Sequence, residues 1–225
     1  MARTRLALGT AILAGIGIAL ASPALAGAAT RALWHMDETA GTTMTDSAGA
    51  NHGRLRRVAL GQSGFSGTGY GFAGLGSIAT VPSHAALNPG AAPFTVSVHF
   101  RTSQVSRDDS EDLMRKGLST NSKTLWKIEL RPNASHTAAR VRCYFHGSRA
   151  AASIYASPSN VADGAWHTVQ CVKQNGLVGM IFDGKTRTKA ARVGSISNGA
   201  VLTIGAKSAT DDAFPGLVDE AAFDV

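Results

Sequence analysis

The stretch Asp163-Gly164-Ala165-Trp166-His167-Thr168-Val169, with the apolar run after it that ends at Asp183-Gly184, decides how this chain folds. From His167 to Cys171 the residues alternate: Val169 and Cys171 share one side, Thr168 and Gln170 the other, as a strand with one wet face requires. Leu177 to Phe182 is a second such segment, and Asp183-Gly184 suits a type I′ turn because both residues tolerate positive φ. The stretch therefore reads as antiparallel hairpins in a half-buried sheet. Trp166, large and at the head of an apolar strand, is expected to anchor the core or the space between sheets. His167 is expected to be a structural donor, since no serine or cysteine nucleophile motif accompanies it.

The same period of two runs outward in both directions. Phe94, Val96, Val98 and Phe100 alternate with Thr95, Ser97, His99 and Arg101. Ala32–Met36, Ser77–Val81, Thr124–Leu130, Arg140–Phe145, Ser153–Tyr155, Val201–Ile204 and Leu217–Phe223 read likewise, separated by turn formers such as Asn88-Pro89-Gly90, Asn175-Gly176 and Asn198-Gly199. Helical periodicity is nearly missing, so parallel βαβ layers are excluded and an antiparallel sandwich or barrel is predicted. Gly69-Tyr70-Gly71-Phe72-Ala73-Gly74 fits a dinucleotide fingerprint, but a β-branched run follows it where that chemistry needs a helix. Its glycines are read as turn and bulge positions.

Residues 1–26 are set aside as a signal peptide: Arg3 and Arg5, an apolar run from Leu6 to Ala21, and an Ala24-Leu25-Ala26 cleavage site. The remainder, about 200 residues, suits one domain over residues 29–225. The chain is expected to be secreted, with no second apolar span to hold it in a membrane. Its formal net charge of +7 favours acidic partners. Its basic residues are dispersed, however, with Arg54, Arg56 and Arg57 as the densest group, so a nucleic-acid partner is not expected. Asp108, Asp109, Glu111 and Asp112 read as a solvated acidic loop.

Two cysteines in an exported chain favour a disulfide. Parity puts Cys143 on the apolar side with Val141 and Phe145, and Cys171 with Val169. Both face the core, on strands expected to be neighbours.

The order of segments resembles laminin-G-like (concanavalin A-like) domains. Ala32-Leu33-Trp34-His35-Met36-Asp37-Glu38 precedes a D-S-x-G-x-N-x-G loop, Asp46 to Gly53. Then follow Tyr70-Gly71-Phe72, Ile78 to Pro82, Leu87-Asn88-Pro89-Gly90, the D-G-x-W-H segment, and Phe214-Pro215-Gly216-Leu217-Val218-Asp219-Glu220. The resemblance covers essentially the whole mature chain and implies an all-β, two-sheet antiparallel jelly roll. Relatives often hold calcium, and Asp46, Asn51 and Asp219 stand where the family pattern suggests oxygen ligands. The alternative is that Asp46 and Asn51 only supply turn hydrogen bonds.

Two functions are compatible with this architecture. A glycoside hydrolase needs two carboxylates across a cleft. Glu129 stands alone on its strand, and the adjacent Asp219 and Glu220 point to opposite faces. A non-catalytic binding domain, for a glycan or an extracellular protein, is therefore favoured. Tyr144, Trp126 and Tyr155 are the aromatic residues available to stack on a sugar, Tyr144 foremost because parity sets it opposite Cys143.

Overall fold

The computed structural model describes residues 28–118, 120, 123–156 and 158–225; the signal peptide read over residues 1–26 lies outside them. Two antiparallel sheets face each other. The first runs β14 (Lys185–Ala190), β13 (Leu177–Phe182), β12 (Trp166–Gln174), β7 (Phe94–Arg101), β16 (Pro215–Asp224), β5 (Thr68–Ala73), β4 (Val58–Ser63), and β1 (Thr30–Trp34) also pairs with β16. The second runs β11 (Ala151–Tyr155), β10 (Ala139–His146), β9 (Leu125–Pro132), β8 (Glu111–Lys116), β15 (Leu202–Ile204), β6 (Ile78–Val81), β3 (Gly53–Arg56), β2 (Thr43–Met44). The chain crosses between sheets at β1–β2, β3–β4, β5–β6, β6–β7, β7–β8, β11–β12, β14–β15 and β15–β16. This is the jelly-roll sandwich that the alternation and the segment order predict. Asp183 and Gly184 take φ of 46° and 75°, as the turn between β13 and β14 demands.

The alternating apolar residues meet between the layers. Phe94, Val96, Val98 and Phe100 are completely buried, as are Val141, Cys143 and Phe145 on the facing sheet. Trp126 belongs to this interior. Its ring stacks on Phe223 with centroids 5.9 Å apart and lies 6.4 Å from Phe94, a packing that excludes it from any outer face. The sequence-based role of Trp126 as a sugar platform is thus corrected: Trp126, Ile128 and Leu130 occupy the inward register of β9, and Lys127, Glu129 and Arg131 the outward one.

Trp166 is the reverse case. On β12 the inward register is His167, Val169, Cys171 and Lys173, which leaves Trp166 half-buried on the outer face with Thr168 and Gln170. It is not a core anchor.

Cys143 and Cys171 are bonded, with Cα atoms 5.6 Å apart. Their strands, β10 and β12, belong to opposite sheets, so the bridge crosses the core instead of joining neighbours in one sheet. Sheets packed face to face lie ~10 Å apart, so the layers pinch together here.

The segment read as an acidic solvated loop is partly a strand. β8 is buried along its whole length, and Glu111 and Asp112 have no exposed surface. Asp112 sits directly across from Glu129, and a bulge between Asp112 and Met114 keeps Arg115 opposite Lys127.

Candidate functional site

The loop after β1 is built around one carboxylate. Asp46 Oδ1 accepts the N–H groups of Leu33 (2.9 Å) and Ala48 (3.0 Å), and Oδ2 accepts Asn51 N and Asn51 Nδ2, both at 2.9 Å. The Asn51 carbonyl receives the indole N–H of buried Trp34 at 2.9 Å. Burial works to raise the Asp46 carboxyl, and these N–H donors outweigh it, holding the group below its ordinary value. Asp219, on β16, spends its oxygens elsewhere: Oδ2 accepts Phe65 N (2.8 Å) and Ser66 N (2.9 Å), Oδ1 accepts Glu220 N (3.0 Å).

A calcium ion needs several oxygens with free lone pairs. Asp46 and Asn51 are together, but Asp219 shares no hydrogen-bonding partner with them, and both carboxylates already face N–H donors. Of the side-chain oxygens of Asp46, Asn51 and Asp219, Asn51 Oδ1 alone lacks a partner among the described residues. Among the described residues no three His, Cys, Asp or Glu side chains converge to hold a metal. The trio as placed does not fit calcium; it ties loops to strands.

The outer face of the second sheet carries the other candidates. Tyr144 on β10 lies opposite Ser153, and Arg142 lies opposite Tyr155, so the two tyrosines stand diagonally with one guanidinium between them. Arg142 Cζ is 4.4 Å from the Tyr144 ring centroid and 5.9 Å from that of Tyr155; Arg140 is 5.5 Å from Tyr155. Tyr144 is half-buried and Tyr155 is 37% exposed, leaving ring surface open to solvent. Arg142 is braced from across the strand by Glu129, Nη1 to Oε1 at 3.1 Å.

Glu129 and Asp112 are the pair that sequence reading missed. The strand register places them side by side, the arrangement a two-carboxylate hydrolase begins from. Neither has any exposed surface. Lys127 reaches Glu129 at 2.5 Å and Asp112 at 3.5 Å, Arg115 reaches Asp112 at 2.5 Å, and Ser110 also bonds Glu129. Burial pushes the Asp112 carboxyl up to about 6 against the pull of Arg115 and Lys127. Closed in and claimed by three cations, these acids brace Arg142 and Arg115 and leave no room to flank a glycosidic bond.

A second aromatic cluster lies on the first sheet. Phe65, half exposed, stacks on His99 with centroids 3.9 Å apart and meets Trp166 edge-on at 6.2 Å. Asp219 fixes the turn that carries Phe65. His167, beneath, sits between Asp183 (2.8 Å to Nδ1) and Asp163 (3.1 Å to Nε2), and joins the two ends of the hairpin as a structural donor.

Two facing antiparallel layers with a tyrosine–arginine outer face have a lectin-like architecture. Residues 72–223 match the laminin-G-type model of the concanavalin A-like lectin/glucanases superfamily, and the chain belongs to that family. No curated protein matches the sequence. Among solved structures, the binding domain of a Paraclostridial mosquitocidal protein is similar at a TM-score of 0.64 and 12% identity, over 87% of this chain and 48% of that one. The present chain thus spans about half of that toxin domain. Domain 4 of AbnA, an extracellular arabinanase from Geobacillus stearothermophilus solved in complex with arabinotriose, gives 0.60 and 17%, over 88% and 92%. The LG4-5 domains of the mouse laminin alpha1 chain give 0.50 and 16%, over 69% and 40%. At these identities the likeness is one of fold.

Proposed function

We propose that the mature chain is a secreted, non-catalytic domain that binds a glycan on the outer face of its second sheet, with Tyr144 and Tyr155 as stacking surfaces and Arg142 as the hydrogen-bond donor between them. The observation that carries this reading is the pair of tyrosines flanking a braced guanidinium, because sugar recognition combines an aromatic plane with fixed polar groups at its edge. The similar arabinanase domain with its bound arabinotriose supports the choice of a glycan. The cross-sheet disulfide supports an oxidising, extracellular setting, and no helix among the described residues is long and apolar enough to cross a membrane. The reading involves no metal.

A glycan array in calcium and in chelator, beside a reducing-sugar assay on polysaccharides, tests it. The expected result is saturable binding to one glycan class in both buffers, no sugar released, and a loss of at least tenfold in affinity for Tyr144→Ala with the melting temperature unchanged. Released sugar would overturn the non-catalytic reading. Silence on the array, or full affinity in Tyr144→Ala, would overturn the site and shift attention to an extracellular protein partner.

A further inference from the structure

One end of the sandwich holds a cleft of about 580 Å³ whose walls include Ser148, Arg149, Lys173, Arg192, Gly194 and Ser195. A neighbouring cleft shares Ser148, Arg149 and Ser195 and adds Lys123 and His146. Among the described residues every ionisable side chain on these walls is basic. No carboxylate comes within 4.0 Å of the Lys173, Arg149 or Arg192 head groups among the described residues.

Lys173 is the unusual member. It holds an inward register position of β12, next in the series after Val169 and Cys171, and is only 3% exposed. Its Nζ donates to the carbonyls of Ala91 and Ala92, each at 3.1 Å. An ammonium has three donors; among the described residues two meet these carbonyls, and beyond them Nζ has the face of the Phe94 ring, 5.8 Å from its centroid. Burying a cation without a counter-charge is costly, and that burial pulls Lys173 below its ordinary value.

The walls are fixed in advance. Ser148 N donates to Ser195 O at 2.8 Å, Arg149 N to Val193 O at 3.0 Å, and Ser195 N to Ser148 Oγ at 3.0 Å. Gly194 has φ of +85°, and a Cβ there would lie 2.6 Å from Ser148 Oγ, so only glycine lets the two segments close this tightly.

We propose that this cleft is an oxyanion site, taking the carboxylate, sulfate or phosphate group of a small polar ligand, with Lys173 as the buried cation at its base and the Arg149 and Arg192 guanidiniums on its walls. Planar guanidiniums match the oxygens of such groups in pairs, and a rigid, low-dielectric setting strengthens each contact. The site uses none of the residues of the Tyr144 face, so either can fail without the other.

Calorimetric and NMR titrations of the mature protein with sodium sulfate, sodium phosphate, glucuronate and uncharged glucose, at ionic strength held constant with sodium chloride, test this. We expect saturable binding of the anions and none of glucose, with the Lys173 side-chain resonances shifting as the site fills. Binding of glucuronate alone among the anions also supports the site and assigns the group to an acidic sugar. Arg149→Gln combined with Arg192→Gln, both at exposed positions, is expected to weaken binding at least tenfold, while Tyr144→Ala leaves it intact. Failure of every anion to saturate, or unchanged affinity in the double variant, would overturn the proposal.

Discussion

Asp46 shows what one side chain contributes when both of its oxygens are fully used. Its four N–H contacts connect β1, the following loop and, through Asn51, the indole of Trp34. Charge-assisted hydrogen bonds contribute about 1.5–3 kcal/mol each, and their loss strands buried donors. Asp46→Ala is therefore expected to destabilise the fold by roughly 3 kcal/mol on that scale. Because the same oxygens are unavailable to a cation, the urea midpoint of the unaltered protein should be identical in calcium and in chelator. A calcium-dependent midpoint that Asp46→Ala removes would reverse this assignment. The residue type alone admitted both readings, because a carboxylate that accepts N–H groups and one that ligates calcium look alike until the donors around it are placed.

At the scale of elements, β8 is the instructive case. Its sequence, Glu111 to Lys116, mixes acids and bases without a clean apolar period, so pattern reading assigned its acidic start to solvent. Charges within and across strands compensate one another there: Asp112 with Arg115 on β8 and Lys127 on β9, Glu129 with Lys127 on β9 and Arg142 on β10. Among the described residues Glu111 has no such partner, and accepts only Ser106 N at 2.6 Å. Burial pushes its carboxyl up to about 7; the Ser106 N–H opposes the rise and Asp108 adds to it. The folded chain then keeps a proton that the unfolded chain releases near 4.5. Stability should fall as pH rises from about 4.5 to about 7, by up to ~1.4 kcal/mol per pH unit. Glu111→Gln is expected to flatten much of that slope in urea titrations across this window, with Asp112, Asp212 and Asp219, whose carboxyls burial also raises, contributing to the remainder. A profile as steep as that of the unaltered protein would show that Glu111 does not carry the effect. Strand β12 teaches the complementary lesson, since the parity that turned Cys171 inward already turned Trp166 outward. Its size suggested the core, and register decided otherwise.

At the scale of the molecule, the two layers are held by a shared aromatic interior and by the bridge between β10 and β12, with β1 paired to β16 and their ladder extended by the hydrogen bonds between Ala29 and Val225. The bridge closes a 28-residue separation, and restricting the unfolded chain over that length is worth about 3 to 4 kcal/mol. Replacing Cys143 and Cys171 by alanine should lower stability by about that amount while leaving the sheet signature in circular dichroism intact. An unchanged denaturation midpoint would show that the pinched layers, not the bridge, hold this end. The alternation of side chains, the turn residues and the cysteine parity were enough to establish an antiparallel sandwich with two inward sulfurs, because strand periodicity and turn chemistry are local properties written into neighbouring residues. Which sheet each strand joined, that Asp112 and Glu129 meet, that Trp126 is enclosed while Phe65 and Trp166 share an outer surface, and that Lys173 underlies a basic cleft were all settled by long-range pairing. Register between segments tens of residues apart depends on the packing of the whole sandwich, and no local pattern encodes it.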